Sequence, residues 1–534
     1  MQHGIKAALD NAVHRTALLL VCLILAACSR SAPGSGAAAN GAAETCRLLP
    51  DELSAQGLAQ VESELVNTGP TGGRSYCVLT ASIDNSPLRF NVWLPTSDWN
   101  GKLAFIGGGG FDGELLDDAF KLVLSPSILE EHYALASSNG GHDKPDSLNP
   151  LAYFRAEFAR DPEMLADFMY RSEHRVLPHA LTVVEEWFGQ IPTHSYFEGC
   201  SMGGHDALIL AQRYPDDFDG IIARAPAGNI LGLFLQFNRI GSLIRNGDLA
   251  LDKHQRQLLQ EAVLAHCDAS DGLDDNIISL PQYCDFDPAV LACSEDGNDG
   301  RNCLQARQVK LLRAITTPYT LPDSTLQHPG YLYGGENSDK GWGEYIWPNL
   351  TGYSIQMLFS EGFVRSFVTG DESTDTWNWN PGNYLPRLLE LEQQFNAFDP
   401  NLAPLHEGGG KLILWNGLQD TSVSPLDTIA YFNAVSKSIG SKVAEETVEL
   451  FLAPGVGHCW GGTGADEVDL MAALDRWVEH GIAPSQQQLV ARKAGSEDEE
   501  KLSRPLCKYP RFASYVGEGD PADASNFTCE MPPR

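Results

Sequence analysis

The residues that could do chemistry in this 534-residue chain are a serine, an aspartate and a histidine. Ser201 directly follows Cys200, and Asp420 stands alone after an apolar run. His458 is followed by Cys459. A serine hydroxyl becomes a nucleophile when a histidine removes its proton and a carboxylate orients that histidine. The three side chains therefore predict acyl-transfer chemistry, and the two cysteines stand where a disulfide could join two of the loops.

The segment around Ser201 fits the G-x-S-x-G pattern of a nucleophile elbow, in which small neighbours permit a strained turn from strand to helix. Gly199 and Gly203 supply the two glycines. Such a pattern also arises by chance in a glycine-rich chain, so its context matters. An apolar run at 196–197 precedes the serine and a helix-like pattern at 205–212 follows it, which is the setting that the motif requires.

The other two residues follow Ser201 in the order that α/β-hydrolases use, with the acid before the histidine. Asp420 comes after the apolar run 411–415 and a short turn, and His458 comes after the apolar run 448–452. The alternatives are an ordinary turn aspartate and a surface-loop histidine. An oxyanion also needs amide donors, and the Met202 amide and the glycine run 107–110 could supply them. A flexible loop or a phosphate cradle is the alternative for that run, although no Lys-Ser/Thr ending follows it.

Short apolar runs and helical patterns alternate along the chain, which predicts an α/β fold. We interpret the apolar runs as buried parallel strands, at 103–106, 133–136, 196–197, 220–223, 411–415 and 448–452. Helical patterns at 167–188 and 205–214 lie between several of them. The aromatic, cysteine-rich region 228–400 interrupts the alternation, and we interpret it as an inserted lid domain. The catalytic domain is then composed of residues 46–227 and 401–534.

The beginning of the chain resembles an export signal. Residues 1–27 combine basic residues with a short apolar stretch, and the ending Leu-Ala-Ala-Cys resembles a bacterial lipobox with Cys28 as the lipidated residue. We expect a lipoprotein of the bacterial envelope, with the outer membrane favoured, that touches the membrane only through its lipid. The alternative is an ordinary secretory signal with a chance cysteine. The Ala-, Gly- and Ser-rich residues 28–45 predict a flexible tether.

Charge and cysteine content narrow the function further. The formal net charge of -33 argues against a nucleic acid as partner and favours a cation such as calcium. Of the 12 cysteines, Cys22 lies in the signal and Cys28 would carry lipid, which leaves ten for disulfides. Proximity along the chain pairs eight of them and leaves Cys200 with Cys459, although ten cysteines permit many other pairings. The pairs by proximity are Cys46–Cys77, Cys267–Cys284, Cys293–Cys303 and Cys507–Cys529.

Taken together, several segments resemble the tannase and feruloyl esterase family, which also includes a mono(2-hydroxyethyl) terephthalate hydrolase. They are residues 88–113, residues 195–227 with Gly-Cys-Ser-x-Gly-Gly, residues 408–420, and Gly-His-Cys at 457–459. The resemblance covers about residues 46–533. It implies Ser201 as nucleophile, Asp420 as acid and His458 as base. It also implies the Gly110 and Met202 amides as oxyanion hole and a Cys200–Cys459 bond within a five-disulfide framework.

The resemblance also implies a calcium ion in the lid. The ligands would be Asp268, Asp271, Leu273, Asp275 and Ile277, with the leucine and isoleucine acting through their carbonyl oxygens. Asn276 stands where the family usually has glycine. From the residues alone, a solvated acidic turn is the alternative.

The substrate is expected to be an aromatic ester, because the lid is rich in flat apolar rings. We expect Tyr345, Phe359, Phe363 and Val423 to line its pocket, although most large aromatics belong to cores. The terephthalate hydrolase uses a lid arginine for the substrate carboxylate. Residues 357–363 contain no cation and Arg365 is the nearest, which favours phenolic or other aromatic esters.

The sequence therefore predicts a serine-dependent carboxylic ester hydrolase that acts on galloyl, hydroxycinnamoyl or related benzoyl esters through an acyl-enzyme. The alternatives are a terephthalate half-ester hydrolase, or a surface lipoprotein that binds ligands on the same scaffold without turnover. A peptidase or a carbon–carbon hydrolase is also possible on this fold, because fold alone does not determine chemistry.

Overall fold

The computed structural model describes residues 38–55, 58–67, 74–84, 86–116, 125–145, 150–294, 302–494 and 502–533. The predicted signal peptide and the predicted lipidation site at Cys28 lie outside these residues. No helix within the described ranges is long and apolar enough to cross a membrane.

The first helix, Ala38–Ala55, begins inside the segment that was predicted as a flexible tether. Alanine is the strongest helix former, and this stretch is rich in it. Cys46 within the helix is bonded to Cys77 of a neighbouring strand, which holds the helix on the body of the protein. Residues 38–45 are therefore helical, in contrast to the prediction, and residues 28–37 lie outside the described residues.

The strands and helices are numbered here in chain order over the described ranges. The strands are β1 (Ala59–Asn67), β2 (Ser75–Ser82), β3 (Arg89–Pro95), β4 (Lys102–Ile106), β5 (Ala134–Ser138), β6 (His194–Cys200), β7 (Gly220–Arg224), β8 (Tyr319–Thr320), β9 (Gln327–His328), β10 (Lys411–Gly417), β11 (Val448–Ala453), β12 (Val490–Arg492), β13 (Ser503–Pro505), β14 (Phe512–Tyr515) and β15 (Phe527–Glu530). The helices are α1 (Ala38–Ala55), α2 (Ser127–Glu130), α3 (Pro162–Ala166), α4 (Ser172–Phe188), α5 (Met202–Arg213), α6 (Ile230–Gly247), α7 (Lys253–Cys267), α8 (Ala306–Thr316), α9 (Ile355–Gly362), α10 (Leu385–Phe395), α11 (Ala403–Glu407), α12 (Pro425–Ile439), α13 (Ser441–Thr447) and α14 (Leu470–His480).

One large sheet organises the fold, with nine strands in the order β1-β2-β3-β5-β4-β6-β7-β10-β11. The pairs from β1 through β3 to β5 are antiparallel, and all the pairs from β5 to β11 are parallel. The carboxyl ends of parallel strands meet at one edge of the sheet, where open α/β folds place their ligand sites. The loops after β4, β6, β10 and β11 therefore converge there, and these loops contain all the residues predicted to be catalytic.

Both faces of the sheet are covered, as a parallel sheet with continuous apolar strands requires. Leu412 and Leu414 of β10 pack in one buried cluster with apolar residues of α4 and α5. Ile413 and Trp415 of the same strand pack in another cluster with residues of α14. The two-residue alternation of a strand produces this division. The structure confirms the predicted α/β-hydrolase class.

The predicted strands are all present, with ends that differ by up to three residues. The largest difference is at residues 196–197, which are the middle of β6 (His194–Cys200). The predicted helix at 167–188 begins as a single π-helical turn, Asp167–Arg171, before α4. The antiparallel strands β1 to β3 were not predicted. In β1 partly buried and exposed residues alternate and there is no apolar run, whereas β2 and β3 are mostly buried.

The region predicted as a lid, residues 228–400, contains helices α6 to α10 and the two-stranded ribbon β8–β9. Its apolar residues form one buried cluster with residues of the hydrolase loops, including Phe111, Met202 and Val423. The chain returns to the large sheet at β10. The boundaries of this domain stay a prediction, but its core is continuous with the edge of the sheet that contains the catalytic loops.

Five disulfides lie within the described ranges, and they are the pairs that we expected from the sequence. They are Cys46–Cys77, Cys200–Cys459, Cys267–Cys284, Cys293–Cys303 and Cys507–Cys529. Disulfides in this number are typical of proteins that fold in an oxidising compartment outside the cytosol.

Candidate active site

Ser201 lies at the sharp turn between β6 and α5. Its backbone has φ 65° and ψ -114°, a conformation that costs a non-glycine residue about 1–3 kcal/mol. The turn is possible because glycines surround it: a Cβ atom on Gly199 would lie 2.5 Å from the backbone of Gly203. The Ser201 amide also donates a hydrogen bond of 3.0 Å to the carbonyl of Arg224 on β7. The sequence motif therefore folds as the elbow that it predicts.

Asp420 lies in the turn after β10 and is almost fully buried, with 1% of its surface exposed. Its Oδ1 accepts hydrogen bonds from the backbone amides of Ser422 (2.8 Å) and Val423 (2.9 Å). Its Oδ2 is 2.8 Å from Nδ1 of His458. The backbone amides thus fix one oxygen of the carboxylate, and the other oxygen is directed at the histidine ring.

His458 lies in the loop after β11, with its Nδ1 on the Asp420 carboxylate. An ionised carboxylate accepts hydrogen bonds and donates none, so this contact places the ring proton on Nδ1 and leaves Nε2 as a base. The backbone amide of His458 donates to the carbonyl of Lys340 in the lid (3.2 Å). The ring of Tyr345, also in the lid, packs edge-on against the imidazole at 5.5 Å between centroids.

A disulfide joins the serine loop to the histidine loop. The bond connects Cys200 and Cys459, which are 259 residues apart in sequence and whose Cα atoms are 6.1 Å apart. Ser201 and His458 are the direct neighbours of these cysteines. The structure therefore brings the three predicted residues to one edge of the sheet. A hydrogen bond links Asp420 to His458, and the disulfide links the loop of His458 to the loop of Ser201.

The two predicted oxyanion donors also lie beside the elbow. Gly110 follows β4 in a left-handed conformation, with φ 62°. Met202 is the first residue of α5. The Gly203 amide donates to the carbonyl of Gly108 (3.0 Å), and this bond holds the glycine loop against the start of α5. Exposed amides at a helix start and in a glycine loop can stabilise a developing negative charge.

The four residues expected in the substrate pocket occupy three different environments. Tyr345 and Val423 adjoin the histidine and the aspartate. Phe359 packs edge-on against Phe111, the residue that follows Gly110, with 5.2 Å between the ring centroids. Phe363 has 0% of its surface exposed and stacks on another lid ring, so the structure places it in the lid core instead of a pocket wall.

The cation nearest to this region in sequence, Arg365, is already paired. Its guanidinium lies 3.2 Å from the carboxylate of Glu361 and donates to the carbonyl of Thr374. Burial raises the pKa of Glu361, and the neighbouring arginines act in the opposite direction. Arg365 is therefore held by Glu361, four residues earlier in the chain, and by the Thr374 carbonyl.

The predicted calcium ligands lie in one turn, but their contacts differ. Oδ1 of Asp268 is buried without a hydrogen-bond partner, which suits a cation ligand. Oδ2 of Asp275 instead forms a 2.6 Å ion pair with Arg504. Burial raises the pKa of Asp268, and the Asp275 carboxylate raises it further. Asp271 accepts hydrogen bonds from the amides of Leu273 (3.0 Å) and Ser279 (3.2 Å).

The contacts of the three aspartates in this turn are only partly those expected of a calcium site. Across the described ranges, no three His, Cys, Asp or Glu side chains form a metal-binding group. The free oxygen of Asp268 is the feature that fits, whereas Asp275 would have to leave Arg504 to become a ligand. The backbone carbonyls of Leu273 and Ile277 could complete such a site, because calcium accepts carbonyl oxygens.

A buried glutamine that the sequence analysis did not identify connects three parts of the site. Gln419, directly before Asp420, donates through Nε2 to the carbonyl of Gly334 in the lid and to the hydroxyl of Thr463 in the loop that contains His458. Thr463 in turn donates to the carbonyl of Asn276 in the acidic turn (3.5 Å). Only the folded chain brings these segments together, since they are tens of residues apart in sequence.

Comparison with known proteins gives a consistent assignment. A family-wide sequence profile described as tannase and feruloyl esterase matches residues 75–530. The chain is 30% identical over 507 residues to the mono(2-hydroxyethyl) terephthalate hydrolase of Piscinibacter sakaiensis, covering 84% of this chain and 83% of that protein. It is 27% identical over 515 residues to feruloyl esterase B of Aspergillus niger, covering 91% of this chain and 92% of that protein.

Solved structures agree on the fold. Feruloyl esterase B from Aspergillus oryzae superposes with a TM-score of 0.78 at 22% identity, over 92% of this chain and all of that chain. An esterase from the same organism superposes with a TM-score of 0.79 at 23% identity, over 91% of this chain. With the elbow, the sheet and the family profile all in agreement, the chain belongs to the tannase and feruloyl esterase family and is a carboxylic ester hydrolase.

Proposed function

We propose that the chain is a serine-dependent hydrolase of aromatic carboxylic esters that works through an acyl-enzyme. The observation that supports this most is the 2.8 Å contact of His458 with Asp420, on a loop that a disulfide joins to the Ser201 elbow. The names of its relatives, feruloyl esterase B and mono(2-hydroxyethyl) terephthalate hydrolase, both refer to esters of aromatic acids.

The proposed reaction proceeds in two similar steps. His458 Nε2 removes the proton of Ser201 as its oxygen attacks the ester carbonyl carbon, and the Gly110 and Met202 amides stabilise the oxyanion. The intermediate then collapses, and His458 protonates the departing alcohol. Water repeats the cycle on the acyl-enzyme and releases the acid. Asp420 keeps its charge throughout and stabilises the imidazolium.

The acyl group is proposed to be phenolic or otherwise aromatic. Tyr345 beside His458, and Phe359 beside Phe111, offer flat apolar surfaces next to the catalytic groups. The half-ester of terephthalate is the second candidate, because the hydrolase that acts on it is 30% identical to this chain. The pairing of Arg365 with Glu361 favours esters without a second carboxylate.

A substrate panel tests the proposal. Methyl gallate, methyl ferulate and mono(2-hydroxyethyl) terephthalate would be compared for the wild type and for Ser201→Ala. We expect the alanine variant to lose at least about three orders of magnitude in kcat on every ester that the wild type hydrolyses. Near-full activity of Ser201→Ala would refute the serine mechanism. Ligand binding by the wild type without turnover would favour the non-catalytic alternative.

We also propose that the acidic turn binds calcium for structural purposes. Binding to the folded state alone would raise stability with the logarithm of the calcium concentration, once that concentration exceeds the dissociation constant. Excess chelator should therefore lower the melting temperature, and added calcium should restore it, while kcat at low temperature stays nearly unchanged. Asp268→Asn should abolish this calcium effect. An identical melting temperature with and without chelator, together with a negative metal analysis, would exclude the ion.

The proposed location is the bacterial envelope, with Cys28 as the lipidated residue. The five disulfides suit an exported protein, and the alanine-rich signal ending suits a lipoprotein. Cys28→Ser should release the protein from the membrane fraction of an expressing bacterium. A membrane-bound Cys28→Ser protein would contradict lipid attachment at this residue.

A further inference from the structure

Tyr153 lies against the glycine that is proposed as an oxyanion donor. It belongs to a short 3-10 helix, Pro150–Phe154, and is 43 residues after Gly110 in sequence. A Cβ atom built on Gly110 would lie 2.5 Å from the Tyr153 hydroxyl oxygen and 3.0 Å from its Cζ. The hydroxyl is thus the part of Tyr153 that is nearest to the glycine loop, in the space that a side chain at position 110 would need.

The hydroxyl has no protein partner that would explain this position. In the part of the chain that the structure describes, it forms no hydrogen bond with another residue, unlike the hydroxyls of Tyr196 and Tyr431. The ring is nevertheless held from several sides. Lys144 Nζ lies 4.0 Å above its centroid, and the rings of Phe154 and Phe359 pack edge-on at 5.1 and 6.1 Å. A positioned hydroxyl without a partner is available to a bound molecule.

The hydroxyl is also in the correct protonation state to donate. Tyr153 is 37% exposed, and removal of the rest of its side chain from water, reinforced by the carboxylates of Asp112 and Glu114, raises its pKa above the usual value. The phenol therefore keeps its proton at any pH at which the enzyme would be assayed. Lys144, which is only 17% exposed and paired with Glu114 at 2.7 Å, adds positive charge beside the ring.

Tyr153 lies between the Gly110 loop and the lid, where its ring packs edge-on against Phe359. It contributes, after burial and Asp420, to raising the pKa of Tyr345, whose ring packs on His458. The two phenols are therefore within electrostatic reach of each other near the catalytic groups. Tyr153 lies on the side of the Gly110 loop, and Tyr345 lies on the side of the histidine.

We propose that the Tyr153 hydroxyl is a third hydrogen-bond donor of the oxyanion hole, beside the Gly110 and Met202 amides. The proposal rests on the serine mechanism proposed above. As Ser201 Oγ bonds to the carbonyl carbon, its proton passes to His458 and the carbonyl π electrons move onto oxygen. Tyr153 donates to that oxygen and keeps its own proton, and the bond weakens again when the carbonyl re-forms and the alcohol leaves.

Tyr153→Phe tests the proposal, because it removes only the hydroxyl. Loss of one oxyanion donor in another serine hydrolase lowers kcat by about 10²–10³. We expect a kcat loss of roughly 10- to 100-fold with nearly unchanged KM and an unchanged melting temperature. The loss should be equal for p-nitrophenyl acetate, methyl cinnamate and methyl ferulate, since all three form the same oxyanion. Tyr283→Phe, at a 60% exposed phenol, is the matched control and should retain wild-type kcat.

Two results would overturn this role. Wild-type kcat for Tyr153→Phe on all three esters would show that the hydroxyl contributes nothing to the oxyanion. A loss confined to methyl ferulate would show that Tyr153 instead binds the phenol of the acyl group. Ser201→Ala separates this inference from the proposed function: an active Ser201→Ala removes both, whereas an inactive Ser201→Ala with a fully active Tyr153→Phe removes only the role of Tyr153.

Discussion

At the scale of single residues, the candidate catalytic groups are held by backbone as much as by each other. Two amides fix Oδ1 of Asp420, and a lid carbonyl accepts from the amide of His458. Ser201 is held in its strained conformation by its bond to the Arg224 carbonyl and by the glycines around it. Because backbone positions change little with side-chain substitution, conservative changes at these residues should alter chemistry without moving the loops.

The buried glutamate Glu336, which lies near the site, should make the stability of the protein depend on pH. Glu336 is fully buried, its Oε1 accepts from the Gly334 amide at 2.7 Å, and its Oε2 has no partner. Burial raises the pKa of Glu336 to about 7. The folded state therefore binds this proton more tightly than the unfolded state, so its contribution to stability is fully present below the unfolded pKa and is lost as pH rises to about 7.

Glu336→Gln should flatten this dependence. Between pH 5 and pH 8 the wild type should lose about 2 kcal/mol of unfolding free energy more than the variant, because the glutamine does not ionise. Urea unfolding of both proteins at the two pH values measures the difference. Glu344→Gln, at an exposed lid carboxylate, is the control and should follow the wild type. Parallel pH profiles for Glu336→Gln and wild type would contradict a raised pKa.

At this scale, the sequence allowed us to predict the candidate residues that are marked by a pattern in their own neighbourhood along the chain. Ser201 could be found because an elbow needs glycines at fixed spacing, and Asp420 and His458 because each follows an apolar strand. Tyr153 and Gln419 could not be found in this way. Their contacts with Gly110 and Gly334 exist only after the strands have assembled, and neither residue belongs to a motif of its own.

At the scale of elements, the disulfide between the β6 elbow and the β11 loop is the most consequential connection. It closes a loop of 259 residues that includes the whole lid. Loop-closure entropy alone would make such a bond worth about 5 kcal/mol. Its position beside Ser201 and His458 gives it a second effect, since it limits the movement of His458 relative to Ser201.

Replacing both Cys200 and Cys459 by alanine should therefore lower activity before it unfolds the protein. We expect a kcat loss of about tenfold or more at temperatures well below the lowered melting temperature, because small displacements of a base reduce its catalytic contribution. Near-UV circular dichroism would establish that the variant is folded when it is assayed. The same change at Cys46 and Cys77, which join α1 to β2, is the control and should retain kcat. Wild-type kcat in both double variants would contradict the positional role.

At the scale of the whole molecule, the lid and the hydrolase body share one core. Phe111, Met202 and Val423 from the catalytic loops belong to the same buried cluster as Phe234, Trp342 and other lid residues. Burial of apolar surface between two regions couples their stability. The lid should therefore not unfold on its own.

Calorimetry should show a single unfolding transition for the oxidised protein, and loss of esterase activity should coincide with it. Tryptophan fluorescence should follow the same curve, because the lid contributes Trp342 and Trp347 and the sheet contributes Trp93 and Trp415 to the buried set. Two resolved transitions, with the first one affecting only the lid residues, would contradict this coupling.

Much of the overall fold could be predicted, because buried parallel strands appear as apolar runs and helices alternate with them. The antiparallel strand β1 was missed because a half-exposed strand alternates in polarity and contains no such run. Strands β2 and β3 were also missed, although each is mostly buried and contains a short apolar run. The helical start at Ala38 was missed because alanine-rich composition suits both a tether and a helix, and the Cys46–Cys77 bond favours the helix.

The hydrogen bond from the His458 amide to the Lys340 carbonyl has a consequence for engineering. Because the lid supports His458, which we propose as the catalytic base, it cannot be exchanged freely. A chimera with a lid from another esterase should acquire a displaced histidine together with its new pocket. New substrate preferences should therefore be easier to obtain by single substitutions at Tyr345 or Phe359. Directed evolution of this scaffold would be expected to accumulate changes at lid side chains and to spare the backbone contacts around residue 340.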